Sequence, residues 1–357
     1  MVIRYKVFSP EKLRNFSTKA LMAVGVPRED AEVTAKILVD TDLRGIESHG
    51  VAHLAPFYIK RIKDGLINVK PTIKVVSRAG ATAVMDGDRG LGFVVGYRAM
   101  QEAISRAEAT GAGFTAVRNS THYGAGSSYA LMALERNMIG ISLSTGGRDA
   151  AVPGVRGKAM GINVISITVP SKEEAPFVLD MATTVVAAGK VEIALRKGLA
   201  IPEGWAVDSE GKSITDPKRY YEAKGAMLSL GGTPEHGVYK GFALGVAVDI
   251  LSGILSGSVA SPELIKEPGS TGRCNHFFGA LKIDGFMPVN EFKQAMDGLV
   301  RFYHGLPRAP GVQRIYLAGE MEHEVEKKRR REGIPLDPVV VDSLKELAKE
   351  LNIEYDL

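Results

Sequence analysis

One cysteine and one tryptophan in 357 residues set the first limits on this chain. Cys274 by itself cannot close an internal disulfide, a multi-cysteine metal site or an iron–sulfur cluster. The chain therefore reads as reduced, with the cytoplasm as the expected location and Cys274 as a small core residue. An excess of either charge is missing too: 45 Lys and Arg stand against 41 Asp and Glu, a net charge of +4. No basic face interleaved with aromatics is visible, so no nucleic-acid partner is expected. The N-terminal stretch MVIRYKVFSPEKLRNF holds no uninterrupted apolar run, and no segment reads as the ~18 apolar residues of a membrane span, so no membrane partner is expected. A dinucleotide fingerprint Gly-x-Gly-x-x-Gly is absent as well. Gly90-Leu91-Gly92-Phe93-Val94-Val95-Gly96 spaces its third glycine too widely, and Gly124-Ala125-Gly126-Ser127-Ser128 has no third glycine. A Rossmann assignment is unsupported, and both segments read as tight turns or as anion nests.

What is present is globular. The 45% hydrophobic and 24% charged content can fill sizeable cores, and the length suits two domains. Ser9-Pro10-Glu11 offers a helix start, followed by Leu13, Phe16, Ala20 and Leu21 at helical spacing. A second helix is expected from Ala31 to about Leu43, and a third over Val51, Leu54, Tyr58, Ile59 and Ile62. From Ile73 onward short β-rich runs alternate with helices: 73–76, 83–86, 114–117, 139–144, 164–169 and 177–179 as strands. Helices are expected at 91–109, 126–136, 184–197, 239–256 and 289–304. The 164–169 and 177–180 runs, joined by Pro170-Ser171-Lys172-Glu173-Glu174, predict an antiparallel hairpin, and Val207–Ser213 a turn between short strands. A last strand is expected near 313–317, before a helical tail that packs on the N-terminal helices. The charge run Glu326-Lys327-Lys328-Arg329-Arg330-Arg331 reads as a solvated helix face.

Chemistry has few carriers, since only seven histidines are available. His49 lies in the polar, glycine-bounded joint Arg44-Gly45-Ile46-Glu47-Ser48-His49-Gly50, and His122 follows a strand in Asn119-Ser120-Thr121-His122-Tyr123-Gly124. Both places suit an acid–base group, and both equally suit a structural hydrogen-bonder. His49 and His53 have the spacing of paired metal ligands on a helix, but Gly50 interrupts it and no Glu intervenes, so no metal is expected. Asp180-Met181-Ala182-Thr183-Thr184 could cap a helix or hold a ribose hydroxyl. Lys240-Gly241 could clamp a phosphate or carboxylate.

Taken in register, these segments resemble the type-2 malate/L-lactate dehydrogenase family. Thr41 through Gly50, Asn119 through Gly124, Ile139 through Ser142, Leu179 through Thr184, Ile201 through Ala206, and Tyr239 through Gly253 all look like its blocks. The family includes sulfolactate and ureidoglycolate dehydrogenases and imino-acid reductases. The resemblance implies NAD or NADP bound on a non-Rossmann fold, a small 2-hydroxy or 2-oxo acid substrate, and a homodimer. It implies His122 as proton acceptor with Ser48 and His49 near the substrate. Cofactor contacts would fall at Ser144, Thr145 and Gly146, at Asp180, Met181 and Ala182, at Lys240 and Gly241, and at Ala318, Gly319 and Glu320. Arg44, His53 and Arg148 would serve the substrate, His53 standing where many relatives carry arginine.

The expectation is thus an α+β protein. A mixed, largely antiparallel, non-Rossmann sheet domain over 73–313 would bind the nucleotide, and residues 1–72 with 314–357 would form an all-helical domain. The expected activity is NAD(P)-dependent hydride transfer between nicotinamide and a malate- or L-lactate-like acid. The alternatives are an NADPH-dependent imino-acid reductase on the same scaffold, a metal-dependent hydrolase using His49 and His53, and a non-enzymatic binding protein.

Overall fold

The computed structural model describes residues 5–264 and 272–357. The first four residues of the expected helical domain, and 265–271 of the expected sheet domain, lie outside the described residues.

A seven-stranded sheet forms the centre. Its order in space is Lys74–Ala79, Thr82–Asp86, Ala112–Thr121, Arg273–Lys282, Met138–Ser144, Val164–Val169 and Phe177–Ala182. Only Thr82–Asp86 and Ala112–Thr121 run parallel; the remaining neighbours are antiparallel, including the hairpin of Val164–Val169 with Phe177–Ala182. Period-2 alternation sends adjacent residues to opposite faces. Val117 and Phe278 enter the main core, while Ala116 and Phe277 enter a second cluster with Leu143 and Val248.

Each face is covered by a helix. Gly92–Thr110 buries Phe93, Val95, Ala99, Met100, Ala103 and Ala107 at helical spacing against the first face. The continuous helical stretch Val238–Ser256 places Val248 and Leu251 in the cluster on the other face. That stretch corrects one sequence expectation. It is long and apolar enough by length and composition to cross a membrane, and 39% of its most apolar window is buried within the chain.

The helices Pro10–Ala23 and Arg28–Leu43 pack as a pair and share the main core with the C-terminal helix Pro338–Glu350. Burying a side chain such as Leu13 or Phe16 there is worth about 1.5–3 kcal/mol. The expected all-helical unit is not all helical: Lys6–Phe8 pairs with Ile334–Leu336 in a small two-stranded sheet, because the two segments lie side by side where Phe16 meets Tyr355 edge to face. A smaller five-stranded sheet, with its own core around Val191, Ile201, Tyr220 and Met227, grows from the edge near Arg148–Ala151.

Two further expectations differ. No strand forms at 313–317, a segment outside every sheet. The expected helix over 51–62 is broken into a 3-10 turn Val51–His53, a π-helical turn Leu54–Ile59 and the short α-helix Lys60–Lys63. Single π turns inside helices re-aim side chains and concentrate at functional sites.

Candidate active site

His122 stands just past the end of the Ala112–Thr121 strand, held by its backbone. Its N–H donates to the Gly272 carbonyl at 2.9 Å. Gly92 abuts the same stretch so closely that a Cβ there would collide with the carbonyls of Thr121 and His122. The Thr121 hydroxyl accepts the Gly92 N–H at 3.0 Å and donates to the Gly90 carbonyl at 2.9 Å. The glycines of the imperfect fingerprint therefore serve to dock a helix start against His122.

The broken helix supplies the neighbours. His49 stacks on His122 with ring centres 5.6 Å apart, Phe57 meets it edge-on at 5.2 Å, and the Tyr58 hydroxyl lies 2.7 Å from Nδ1. The Gly124 N–H also points at Nδ1, at 3.4 Å. Burial, aided by His49, His53, Arg61 and His276, holds the His122 imidazole well below the ordinary histidine range, so it is neutral at working pH. His49 hydrogen-bonds Ser48 Oγ through Nδ1 at 2.8 Å and is pushed down to about 4, chiefly by burial. His53 reaches Glu192 through Nε2 at 3.4 Å, while its Nδ1 is buried without a partner.

The turn bearing these rings is anchored from behind. Asp42 is buried, accepts the Val51 N–H at 2.8 Å, and occupies the space a Cβ at Gly50 would need. Burial pushes its carboxyl up to about 7. Arg329 donates to the Asp42 carbonyl at 2.6 Å and to Glu47 at 2.8 Å. The charge run read as a solvated face thus sends one arginine inward, because the Glu320–Glu332 helix lies against the end of Arg28–Leu43.

The segments expected to meet a cofactor lie along neighbouring strand ends. Ser144 Oγ hydrogen-bonds Nδ1 of the buried His276 at 2.8 Å, and Nε2 of that ring reaches Ser120 Oγ at 2.9 Å. Thr145 exchanges hydrogen bonds with the backbone of Asn275, and the Gly146 N–H donates to Asn163 Oδ1 at 3.0 Å. Asp180 accepts the Ser127 N–H at 2.8 Å, and burial raises its carboxyl. Met181 and Ala182 continue that strand. The Ala318 carbonyl accepts the Val178 N–H at 2.9 Å, Gly319 packs on Val178, and buried Glu320 takes the Leu317 N–H and His304. Lys240 is exposed in the first turn of Val238–Val248, and Gly241 lets that helix touch the backbone of Leu230.

Of the residues expected at the substrate, Ser48, His49, His53 and His122 come together. Arg44 is buried with its guanidinium 3.2 Å from Glu326, and Arg148 is exposed on the second sheet. Tyr58, Glu192 and His276 were missed. For Tyr58 the usable signal was an aromatic pair, Phe57-Tyr58, that a regular helix would point in different directions.

The whole chain has known counterparts. The family model for malate/L-lactate dehydrogenase matches residues 8–345. This chain belongs to the malate/L-lactate dehydrogenase family. A malate dehydrogenase of Pyrococcus horikoshii is 41% identical over 345 residues, covering 96% of this chain and 95% of that protein. An L-sulfolactate dehydrogenase of Methanocaldococcus jannaschii is 38% identical over 352 residues, covering 98% of each. The crystal structure of malate dehydrogenase from Entamoeba histolytica superimposes with a TM-score of 0.95 at 33% identity, over 99% of this chain and 100% of that one. As a member of this malate/L-lactate dehydrogenase family, the protein is an oxidoreductase of 2-hydroxy acids that works with a nicotinamide cofactor.

Proposed function

We propose that this enzyme interconverts a malate- or L-lactate-like 2-hydroxy acid and its 2-oxo acid with NAD or NADP, using His122 as the proton acceptor. The observation that carries the reading is a neutral, half-buried imidazole with one ring nitrogen engaged by Tyr58 and the other left for a ligand. Nε2 takes the hydroxyl proton of the acid, and Ser48 and His49 border the same space. His53, with a buried and unpartnered Nδ1, meets the substrate's side group. Arg148 supplies a cation for the substrate carboxylate, whose orientation is a large part of the rate. Arg44 acts from behind, through Glu326 and the turn before Ser48.

The nicotinamide ring, when bound, is the hydride partner of the carbinol carbon. Three features of the chain fit such a group. Asn275 Oδ1 beside Thr145, and Ser166 Oγ opposite Asp180, are buried polar atoms without partners. The cation Lys240 sits at a helix start, where diphosphates are favoured. Ser144 through Gly146, Asp180 through Ala182, Lys240 with Gly241, and Ala318 through Glu320 are the residues that would hold it, on a non-Rossmann sheet.

In this reading the protein is a cytoplasmic homodimer. Its second copy covers the exposed Leu244, Ile250, Ile254 and Leu255, an apolar face continuous with Lys240. Residues 1–72 with 314–357 form one body and 73–313 the other. Steady-state assays of oxaloacetate, pyruvate, sulfopyruvate and a cyclic imino acid, each with NADH and NADPH, test the assignment. Turnover of a 2-oxo acid supports it, and turnover of the imino acid alone overturns it. Sedimentation velocity tests the dimer.

A further inference from the structure

Among the described residues, Tyr58 is the buried titratable group hydrogen-bonded to His122 whose presence the reaction above does not require. Its hydroxyl lies 2.7 Å from Nδ1, its side chain is 1% exposed, and Phe93 braces the ring edge-on at 4.8 Å. The groups facing the Tyr58–His122 pair are His49 and His53 from the broken helix, Arg61 from the short helix after it, and Cys274 and His276 from the central strand. Glu192 stands behind His53. Tyr58 and His122 both line a small cleft, bordered also by Phe57, Arg61, Thr121 and Arg273, with a free volume of about 10 Å³, roughly what a single water needs.

We propose that Tyr58 is the positioning residue of the base and exchanges a proton with Nδ1 as Nε2 exchanges one with the substrate, so that His122 works between two neutral tautomers. The proposal rests on His122 being the acid–base group. In acid reduction, Nε2–H goes to the forming alkoxide, the Tyr58 O–H goes to Nδ1, and a water in the cleft returns a proton to the Tyr58 oxygen. Water is left as hydroxide, which takes up a solvent proton. Alcohol oxidation runs the same chain backwards, ending with a proton on water. No ring ever carries a full charge.

Two observations favour a relay over simple support. The Gly124 N–H can only donate, so Nδ1 is an acceptor at rest and the neutral ring carries its proton on Nε2, set for acid reduction; alcohol oxidation starts from the other neutral tautomer, with the proton on Nδ1 facing the Tyr58 oxygen and Nε2 free. Burial and the Arg61 guanidinium also disfavour an imidazolium, which a base without an outlet at Nδ1 would have to become.

The test compares wild type, Tyr58→Phe and His122→Ala for kcat, KM and proton inventory in mixed H2O and D2O, together with the 15N shifts of the wild-type His122 ring. The expected result for Tyr58→Phe is a kcat lower by roughly 30- to 100-fold in both directions with KM within about twofold. Its proton inventory should change from curved to linear, a change that loss of support alone would not produce. Wild-type shifts should show Nδ1 unprotonated. A Tyr58→Phe enzyme with kcat within twofold of wild type and an unchanged inventory would overturn the relay while leaving His122 in place. Undiminished turnover in His122→Ala would overturn both readings. If Tyr58→Phe does not fold, a protonated Nδ1 or a linear inventory in the wild type decides against the relay, and their opposites decide for it.

Discussion

Two histidines carried by neighbouring strands, one fully buried and one half-buried, have opposite fates. His276, in the central strand, follows a bulge between Cys274 and His276 and sits opposite Val117 and Ser144. Both of its ring nitrogens are taken by serine hydroxyls, and the ring stacks on Tyr123 at 4.5 Å. His122 lies at the end of the adjacent strand with only Nδ1 held by side chain and backbone. Burial holds both rings neutral, pushing His276 down to about 3. The difference shows that a low pKa does not mark a reactive histidine; an unspent nitrogen on a ring that is not fully enclosed does.

The contrast can be broken most sharply by truncating each ring. His122→Ala should lower kcat by roughly 10²- to 10⁴-fold with little change in thermal stability. Equal turnover in the two proteins, measured at saturating substrate, would dissolve the comparison. Gly50→Ala should cost somewhat less, roughly 10- to 100-fold in kcat/KM, because its Cβ displaces Asp42 and moves the His49–His53 turn by a fraction of a ring width. Circular dichroism should show the fold intact.

His276→Ala removes the ring hydrogen bonds of the Ser144 and Ser120 hydroxyls and leaves a cavity in the sheet, so urea unfolding should report a loss of about 2–4 kcal/mol. The surviving folded enzyme should retain kcat within several-fold. pH sharpens the same pair. A histidine neutral in the folded state and ordinary in the unfolded one gives stability that is present above about pH 6.5 and lost as pH falls, because the unfolded chain takes up the proton first. For His276 the loss runs down to about pH 3 and for His49 to about pH 4. Asp42 works in the opposite sense: its carboxyl is raised to about 7, so its contribution weakens stability as pH climbs from about 4 to 7. His276→Gln should therefore flatten the acid limb of a stability–pH curve, and Asp42→Asn should remove the fall that Asp42 imposes between about pH 4 and 7. The smallest effect is expected for Arg148→Ala, a KM increase of a few-fold for the acid with kcat little changed, read in steady-state kinetics.

Much of the architecture was legible from pattern. The helix Val289–His304 and the hairpin of Val164–Val169 with Phe177–Ala182 follow directly from periodicity and turn residues. The central strand Arg273–Lys282 escaped notice, since RCNHFFGALK is buried on both sides and shows no alternation to read. The break in the 51–62 helix escaped for a related reason: a π turn costs little in propensity and is stabilised by packing that no local window contains. Among the chemical groups, His49, His53 and His122 stood out by rarity and by their glycine-bounded settings. Tyr58 and Glu192 did not, because an ordinary tyrosine and an ordinary glutamate gain meaning only from what lies across the site.

Composition, spacing and six blocks in register were therefore enough for the family, the class of reaction and the list of rings that could move a proton. Those properties are carried by residue identity and order along the chain. Which ring nitrogen is free, which arginine turns inward and which hydroxyl stands behind the base depended on contacts between residues 64 to 287 positions apart. Such contacts exist only after a sheet and two chain ends have packed together. The energies that choose among them are differences in burial and hydrogen bonding, and neither quantity is a property of a residue read alone.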